Sequence, residues 1–284
     1  MALISALIYL IIIIFKFKTR LIPPPLRLKT EKEYQEDLEI VKKHLGEEAS
    51  KNLQTVKENP NLKQYLIITA HPDDEIMFFA PTIIGLRKQG FKVKILCLST
   101  GNYDKKGEIR EVEIKNCVKL LGVTEENVTV LDHPGLQDNP KQFWYPTAVS
   151  KVISEHINPD ISAIITFDRM GISGHVNHRS VYEGIRYYIN QNGNKAMPAV
   201  FTLKTVSVLR KYSSIFDTIF SLNAFLMPHA YSVGDRALFV SGLDEIYLAQ
   251  KAMRQHKSQM VWFRWLYILF SRYMAINELT RINN

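Results

Sequence analysis

The chain has 284 residues, 46% of them hydrophobic and 23% charged, with a formal net charge of +8. That length allows one large domain, or two small ones with an appendage. The apolar content suffices for a packed core, which excludes a disordered, collagen-like or multi-span membrane protein. The two cysteines, Cys97 and Cys117, exclude a disulfide framework and a cysteine-rich zinc site. Each sits in an apolar run and reads as a reduced, buried thiol of a cytosolic compartment.

Residues 1–15, MALISALIYLIIIIF, carry no charge, and Lys16, Lys18 and Arg20 follow at once. As a helix, about 17 residues span about 25 Å, near the ~27 Å core of a thin endoplasmic reticulum bilayer, and the two lysines can snorkel. A cleavable signal peptide wants positive charge before the apolar run and a small-x-small site after it, and neither is present. Residues 1–17 are therefore expected to form one uncleaved N-terminal transmembrane helix, with residues 16 onward in the cytoplasm by the positive-inside rule. The basic excess then suits an anionic membrane surface. No basic helix block, zinc knuckle or RNP-like motif points to nucleic acid.

Residues 18–60 read as a linker and stalk. Pro23, Pro24 and Pro25 make a stiff spacer. Residues 31–59 are rich in Glu and Lys, with only the thin apolar stripe of Leu38, Val41, Leu45, Leu53 and Val56, as expected of one or two exposed helices.

From Tyr65 the texture changes, and 61–284 is expected to be the main domain. The predicted strands are 65–70, 93–99, 127–131, 161–167, 201–209 and 237–240. The predicted helices are 76–89, 108–121, 147–156, 177–190, 243–256 and 261–277. Near-continuous apolar strands alternating with helical patterns argue an α/β fold: a Rossmann-like, mostly parallel sheet with helices on both faces. Ligands bind such sheets beyond the carboxyl ends of the strands.

Two constellations follow strands. In Ala70-His71-Pro72-Asp73-Asp74-Glu75, an apolar strand runs into one imidazole and three carboxylates. Consecutive acids repel unless something positive sits among them, and a divalent metal supplies that charge. His71 and Asp74 can ligate from one turn, while Asp73 can act as a base on water. Helix N-capping by Asp73 or Asp74 is the plainer reading, but capping needs only one Asp. In Asp168-Arg169-Met170-Gly171-Ile172-Ser173-Gly174-His175-Val176-Asn177-His178, the two histidines lie three apart and can share a helical face. One can bind metal while the other faces substrate. Two histidines and one carboxylate suit catalytic Zn²⁺, and the same set can hold Fe(II).

These two motifs, with Gln255-His256-Lys257-Ser258-Gln259, resemble the zinc-dependent N-acetylglucosaminyl-phosphatidylinositol de-N-acetylases, the PIG-L-like enzymes of glycosylphosphatidylinositol-anchor synthesis. The stretches 78–81, 99–103 and 262–274 add to the likeness, which runs from Tyr65 to the C-terminus and leaves out 31–59. The resemblance implies a zinc amide hydrolase acting on a membrane glycolipid, located in the endoplasmic reticulum membrane with its catalytic domain cytoplasmic. It implies His71, Asp74 and His178 as zinc ligands and Asp73 as general base. His175 would stabilise the oxyanion or protonate the leaving amine. Asn177 stands where bacterial relatives often carry Asp, and an amide raises a neighbouring imidazole's basicity less.

Arg110 follows the second strand and is expected either to contact the substrate phosphodiester or to pair with Glu113 on a solvated helix face. The aromatic and cationic mix of residues 261–276 suits a membrane interface as well as a core helix. Two other functions fit the same residues: a de-N-acetylase of another N-acetyl sugar conjugate, and a membrane-tethered metal-binding subunit without turnover.

Overall fold

Strand β1 (Gln64–Thr69) is apolar and β-branched on both faces, and so is β4 (Ile161–Phe167). Such strands are stable only with cover on both sides, and these two lie side by side at the centre of a seven-stranded sheet of order β3-β2-β1-β4-β5-β7-β6. The computed structural model describes residues 63–193, 197–226 and 235–282. The expected anchor 1–17 and the whole of the linker 18–60 lie outside the described residues. Among the described residues no helix is long and apolar enough to cross a membrane.

Strands β2 (Lys92–Cys97), β3 (Val128–Val130) and β5 (Ala199–Leu203) pair in parallel with this centre. Helices α1 (Asp74–Lys88) and α2 (Gly107–Leu120) carry the chain from β1 toward β3. Helices α3 (Pro146–Ser154) and α4 (Val176–Asn192) carry it back the other way. Right-handed crossovers in opposite directions put the two pairs on opposite faces. Gly184 lets α4 approach α3: a Cβ there would meet Val149 Cγ1 at 2.2 Å. Because the chain leaves β1 and β4 in opposite directions, a crevice opens at their carboxyl ends. Both sequence constellations lie there. Cys97 and Cys117 are free and buried.

The C-terminal region departs from expectation. The predicted helix 261–277 is α7 (Trp262–Phe270), a 3-10 turn (Arg272–Met274) and then strand β7 (Ile276–Arg281). Ser271 is extended and its side chain accepts from the Tyr273 N–H, which ends the helix and starts the turn. Strand β7 runs antiparallel between β5 and β6 (Arg236–Val240), so the sheet is parallel on one side and antiparallel at this edge. The strand predicted over 201–209 stops at Leu203, and Val208–Lys211 is a helical turn. Helices α5 (Thr218–Leu226) and α6 (Leu243–Met253) complete the described elements that position the site. Asp217 ties this region together: it takes a two-pronged contact from Arg210 at 2.6 and 2.8 Å and one from buried Arg272 at 2.8 Å.

Pro81 lies inside α1, where it has no N–H for the Met77 carbonyl. The Tyr267 hydroxyl donates to that carbonyl instead, at 2.9 Å. One residue on, Asn277 enters the helix: its Nδ2 donates to the Phe78 carbonyl at 2.8 Å and its Oδ1 accepts from the Thr82 N–H at 3.2 Å. The side-chain amide thus satisfies both ends of the adjacent rung. Asn277→Ala is expected to strand both groups in the core and cost about 2–4 kcal/mol, read from the urea midpoint of unfolding. An unchanged midpoint would remove Asn277 from this role.

Candidate functional site

Asp73, Asp74 and Glu75 are 3%, 2% and 0% exposed, and each has a different source of compensation. Asp74 accepts from the backbone N–H groups of Ala70 and His71 through Oδ2, at 3.1 and 2.8 Å. It therefore closes the end of β1 rather than capping α1. Asp73 takes φ +119°, a conformation that typically costs about 1–3 kcal/mol and persists where its surroundings impose it. Its carbonyl accepts from the Ile76 and Met77 N–H groups, and its own N–H donates to Glu75 Oε2. The Asp73 carboxylate lies 3.0 Å from Arg264 and 3.6 Å from Arg110. Glu75 Oε1 meets His256 Nε2 at 2.7 Å, wholly buried.

After β4, Asp168 folds the loop by accepting from the Met170, Gly171 and Thr205 N–H groups. Gly171 has φ +60°, and a Cβ there would meet His178 Cβ at 2.9 Å. This close approach lets His178 Nδ1 donate to the Gly171 carbonyl at 3.0 Å, while Phe167 stacks on the imidazole at 4.1 Å. With Nδ1 as donor, Nε2 of a neutral His178 is a lone pair, and it faces Asp74 Oδ1 at 3.1 Å. His71 has the matching arrangement. Its Nε2 faces the oxygens of Asn177 and Asp138 at 3.1 and 3.2 Å, which makes Nε2 the donor and leaves Nδ1 as a lone pair 3.6 Å from Asp74 Oδ2. Two imidazole nitrogens aimed at one buried carboxylate need positive charge between them, a proton or a metal ion. The donation of each ring's other nitrogen to an oxygen is the usual support for a metal-binding histidine. His71, Asp74 and His178 thus fit a divalent metal.

His175 is the N-cap of α4, not a partner of His178 on one helical face. Its Nδ1 accepts from the Asn177 N–H at 3.3 Å, so its Nε2 carries the proton. One ring nitrogen from each of His71, His175 and His178 lies within 4.8 Å of the other two. Burial, then the neighbouring imidazoles of His178 and His71, push the His175 pKa down to about 4, so it is neutral at pH 7. Burial acts to lower the His71 pKa, but the Asp138 hydrogen bond and the charges of Asp74, Asp138 and Asp73 raise it on balance. Burial acts to raise the Asp74 pKa, but positive charge at its His178 and His71 neighbours and the backbone N–H of His71 hold it well below the carboxylate range.

These groups line a cavity of about 650 Å³ with Arg110, Asp138, Lys211 and residues of α7. Arg110 is not on a solvated face. It is buried, with Nη1 on the Gly101 carbonyl at 2.8 Å and Nη2 on the Pro72 carbonyl at 2.6 Å. Glu113, its alternative partner, instead accepts from the Ser258 N–H and hydroxyl, both at 2.7 Å. The 255–259 motif therefore clamps the chain onto α1 and α2 through His256 and Ser258. Sequence reasoning missed Asp138 and Arg264. Asp138 lies in an irregular loop after β3 with no local pattern, and Arg264 read as part of an aromatic helix.

The chain matches the family model described as PIG-L: GlcNAc-PI de-N-acetylase over residues 66–189. It is 40% identical over 215 residues to a Bos taurus protein named N-acetylglucosaminyl-phosphatidylinositol de-N-acetylase, covering 75% of this chain and 81% of that one. A Schizosaccharomyces pombe protein named as a probable enzyme of the same kind is 41% identical over 225 residues, covering 78% and 87%. Among solved structures, the fold is shared with the N,N'-diacetylchitobiose deacetylase of Pyrococcus horikoshii, at TM-score 0.54, 16% identity and coverage of 79% and 86%.

Arg110→Lys tests the brace under Asp73. An ammonium cannot serve the Gly101 and Pro72 carbonyls together as the planar fork does, so a loss of about 1–3 kcal/mol is expected in thermal unfolding. Full stability would show that the fork is dispensable.

Proposed function

This chain belongs to the GlcNAc-PI de-N-acetylase family and is a deacetylase, and we propose that it hydrolyses the acetamide of N-acetylglucosaminyl-phosphatidylinositol, giving the glucosaminyl lipid and acetate. The observation that carries the site assignment is the pair of imidazole lone pairs, His71 Nδ1 and His178 Nε2, aimed at Asp74. With Asp74 they would hold the metal, and the donor set favours zinc. When bound, the ion supplies Lewis-acid chemistry: it polarises a carbonyl oxygen and lowers the pKa of water.

The chain's own groups do the rest. Asp73 accepts the proton of the attacking water, its carboxylate held in aim by Arg264 and Arg110. His175, neutral at pH 7 with the proton on Nε2, donates a hydrogen bond to the carbonyl oxygen as charge develops there. Loss of one such donor costs about 10²–10³ in rate. The C–N bond then breaks, and Asp73 returns its proton to the departing amine. His175 is thus a hydrogen-bond donor rather than a charged acid, consistent with its lowered pKa. Arg110 reaches the cavity with a guanidinium suited to phosphate, beside its structural contacts.

The lipid substrate, the uncharged segment 1–15 and the cations that follow it support a single-pass protein of the endoplasmic reticulum membrane. Domain 61–284 then faces the cytoplasm.

Membranes supplied with labelled glycolipid should release acetate, and a chelator should stop release until zinc is restored. Asp74→Ala and His178→Ala should lose bound metal and activity together; full metal occupancy in both would refute the ligand set. Asp73→Asn should keep metal and substrate binding while turnover falls about 10²–10⁴-fold. A wild-type rate would remove Asp73 from the proton path.

A further inference from the structure

The outer wall of the cavity is built by two segments whose apolar surface has no role in the reaction. On α7, Tyr267 and Ile268 face inward, whereas Trp262, Phe263, Trp265, Leu266, Leu269 and Phe270 are exposed. The helical turn at Val208–Lys211 and the residues after it expose Val208, Leu209, Tyr212, Phe216 and Phe220, with Leu209 88% and Trp262 75% accessible. The two surfaces flank one opening, because Lys211 and Tyr212 line the cavity together with Trp262, Phe263, Leu266 and Phe270. Soluble proteins rarely expose so much contiguous apolar area without a partner.

The chemistry of the rim selects the partner. Residues 208–220 and 261–270 contain Arg210, Lys211 and Arg264 and one acid, Asp217, which is buried against Arg210 and Arg272. Exposed Trp and Phe mixed with Lys and Arg form the composition of an interfacial surface, where the rings sit at headgroup depth and Lys211 meets lipid phosphates, Arg210 and Arg264 being held by Asp217 and Asp73. A protein sealed onto both segments would close the cavity mouth. A bilayer would not, since the molecule that must enter is one of its own lipids. We propose that α7 and residues 208–220 form a bilayer-docking rim that seats the cavity mouth on the lipid headgroups. This inference rests on the lipid-linked substrate proposed above. It also gives Arg264 a second consequence: the element in the headgroup layer is the one that holds Asp73, at 3.0 Å.

The chain carries its own reporter. Of its three tryptophans, Trp144 is 1% exposed in the core and the other two lie on the rim. The full chain is reconstituted in phosphatidylcholine–phosphatidylinositol vesicles with and without brominated acyl chains, and glycolipid turnover is measured in the same vesicles. Brominated chains should reduce tryptophan emission about two-fold, as expected for rings at the interface. A variant carrying Trp262→Phe and Trp265→Phe should show no quenching. Leu209→Asp, a change outside the cavity lining, should keep its melting temperature and lose vesicle-glycolipid turnover about ten-fold. Unquenched emission in the wild-type chain overturns the rim whatever the turnover, and would mean that a second copy or residues 1–62 cover it. Quenched emission without turnover supports the rim and overturns the glycolipid reading instead.

Discussion

Three consecutive carboxylates cannot be buried at the end of one strand unless each finds its own compensation. Much of the described domain is organised by that requirement. Asp74 is met by the backbone of Ala70 and His71 and by His178 from the far side of the crevice. Glu75 is met by His256, brought from the C-terminal part of the chain. Asp73 is met by Arg264 on α7 and Arg110 on α2. Each acid thus recruits a different region, and together they converge on one point. The cost in desolvation and in strain at Asp73 leaves a polarised cavity in which three adjacent side chains hold distinct environments.

The same economy governs α1, which carries these acids. Pro81 leaves the Met77 carbonyl without its helical donor, and the region is repaired by Tyr267 from α7 and Asn277 from β7. The C-terminal segment is therefore a structural part of the active centre rather than an appendage. It patches α1, clamps α1 and α2 through His256 and Ser258, pairs with β5, and supplies the cavity mouth. Damage to any of these would reach Asp73 through short, buried contacts. Several C-terminal substitutions should therefore affect catalysis through positioning alone.

The two histidines that face Asp74 show how tautomer choice is imposed by neighbours. A backbone carbonyl at Gly171 fixes His178, and the oxygens of Asn177 and Asp138 fix His71. His175, one turn away from His178, is fixed the other way by the N-terminus of α4. Three imidazoles within a few ångströms are thus separated into two lone-pair donors and one proton donor. Asn177 takes part in two of these arrangements, through its side chain for His71 and its backbone for His175.

The α/β class and the parallel centre were legible in the sequence because β1 and β4 are continuous apolar runs, a pattern few other architectures tolerate. That His71, Asp73, Asp74, His175 and His178 gather at one cavity was legible because they lie in the segments after the carboxyl ends of those strands. Asp138 and Arg264 were not legible, since their placement depends on a loop and a helix whose own patterns say nothing about Asp73 or His71. Strand β7 was also missed: its sequence, Ile276-Asn277-Glu278-Leu279-Thr280-Arg281, is largely polar with no apolar run, and only pairing with β5 and β6 makes it a strand. Arg110 read either as a substrate contact or as a partner of Glu113, and its structural role was not legible because periodicity cannot register the Gly101 and Pro72 carbonyls that receive it. The sequence determined which chemical groups stand at the ends of which strands, because that is a local property of the chain. The tertiary structure decided which charge faces which, because compensating a buried carboxylate is a matter of distance in space and not of separation along the chain.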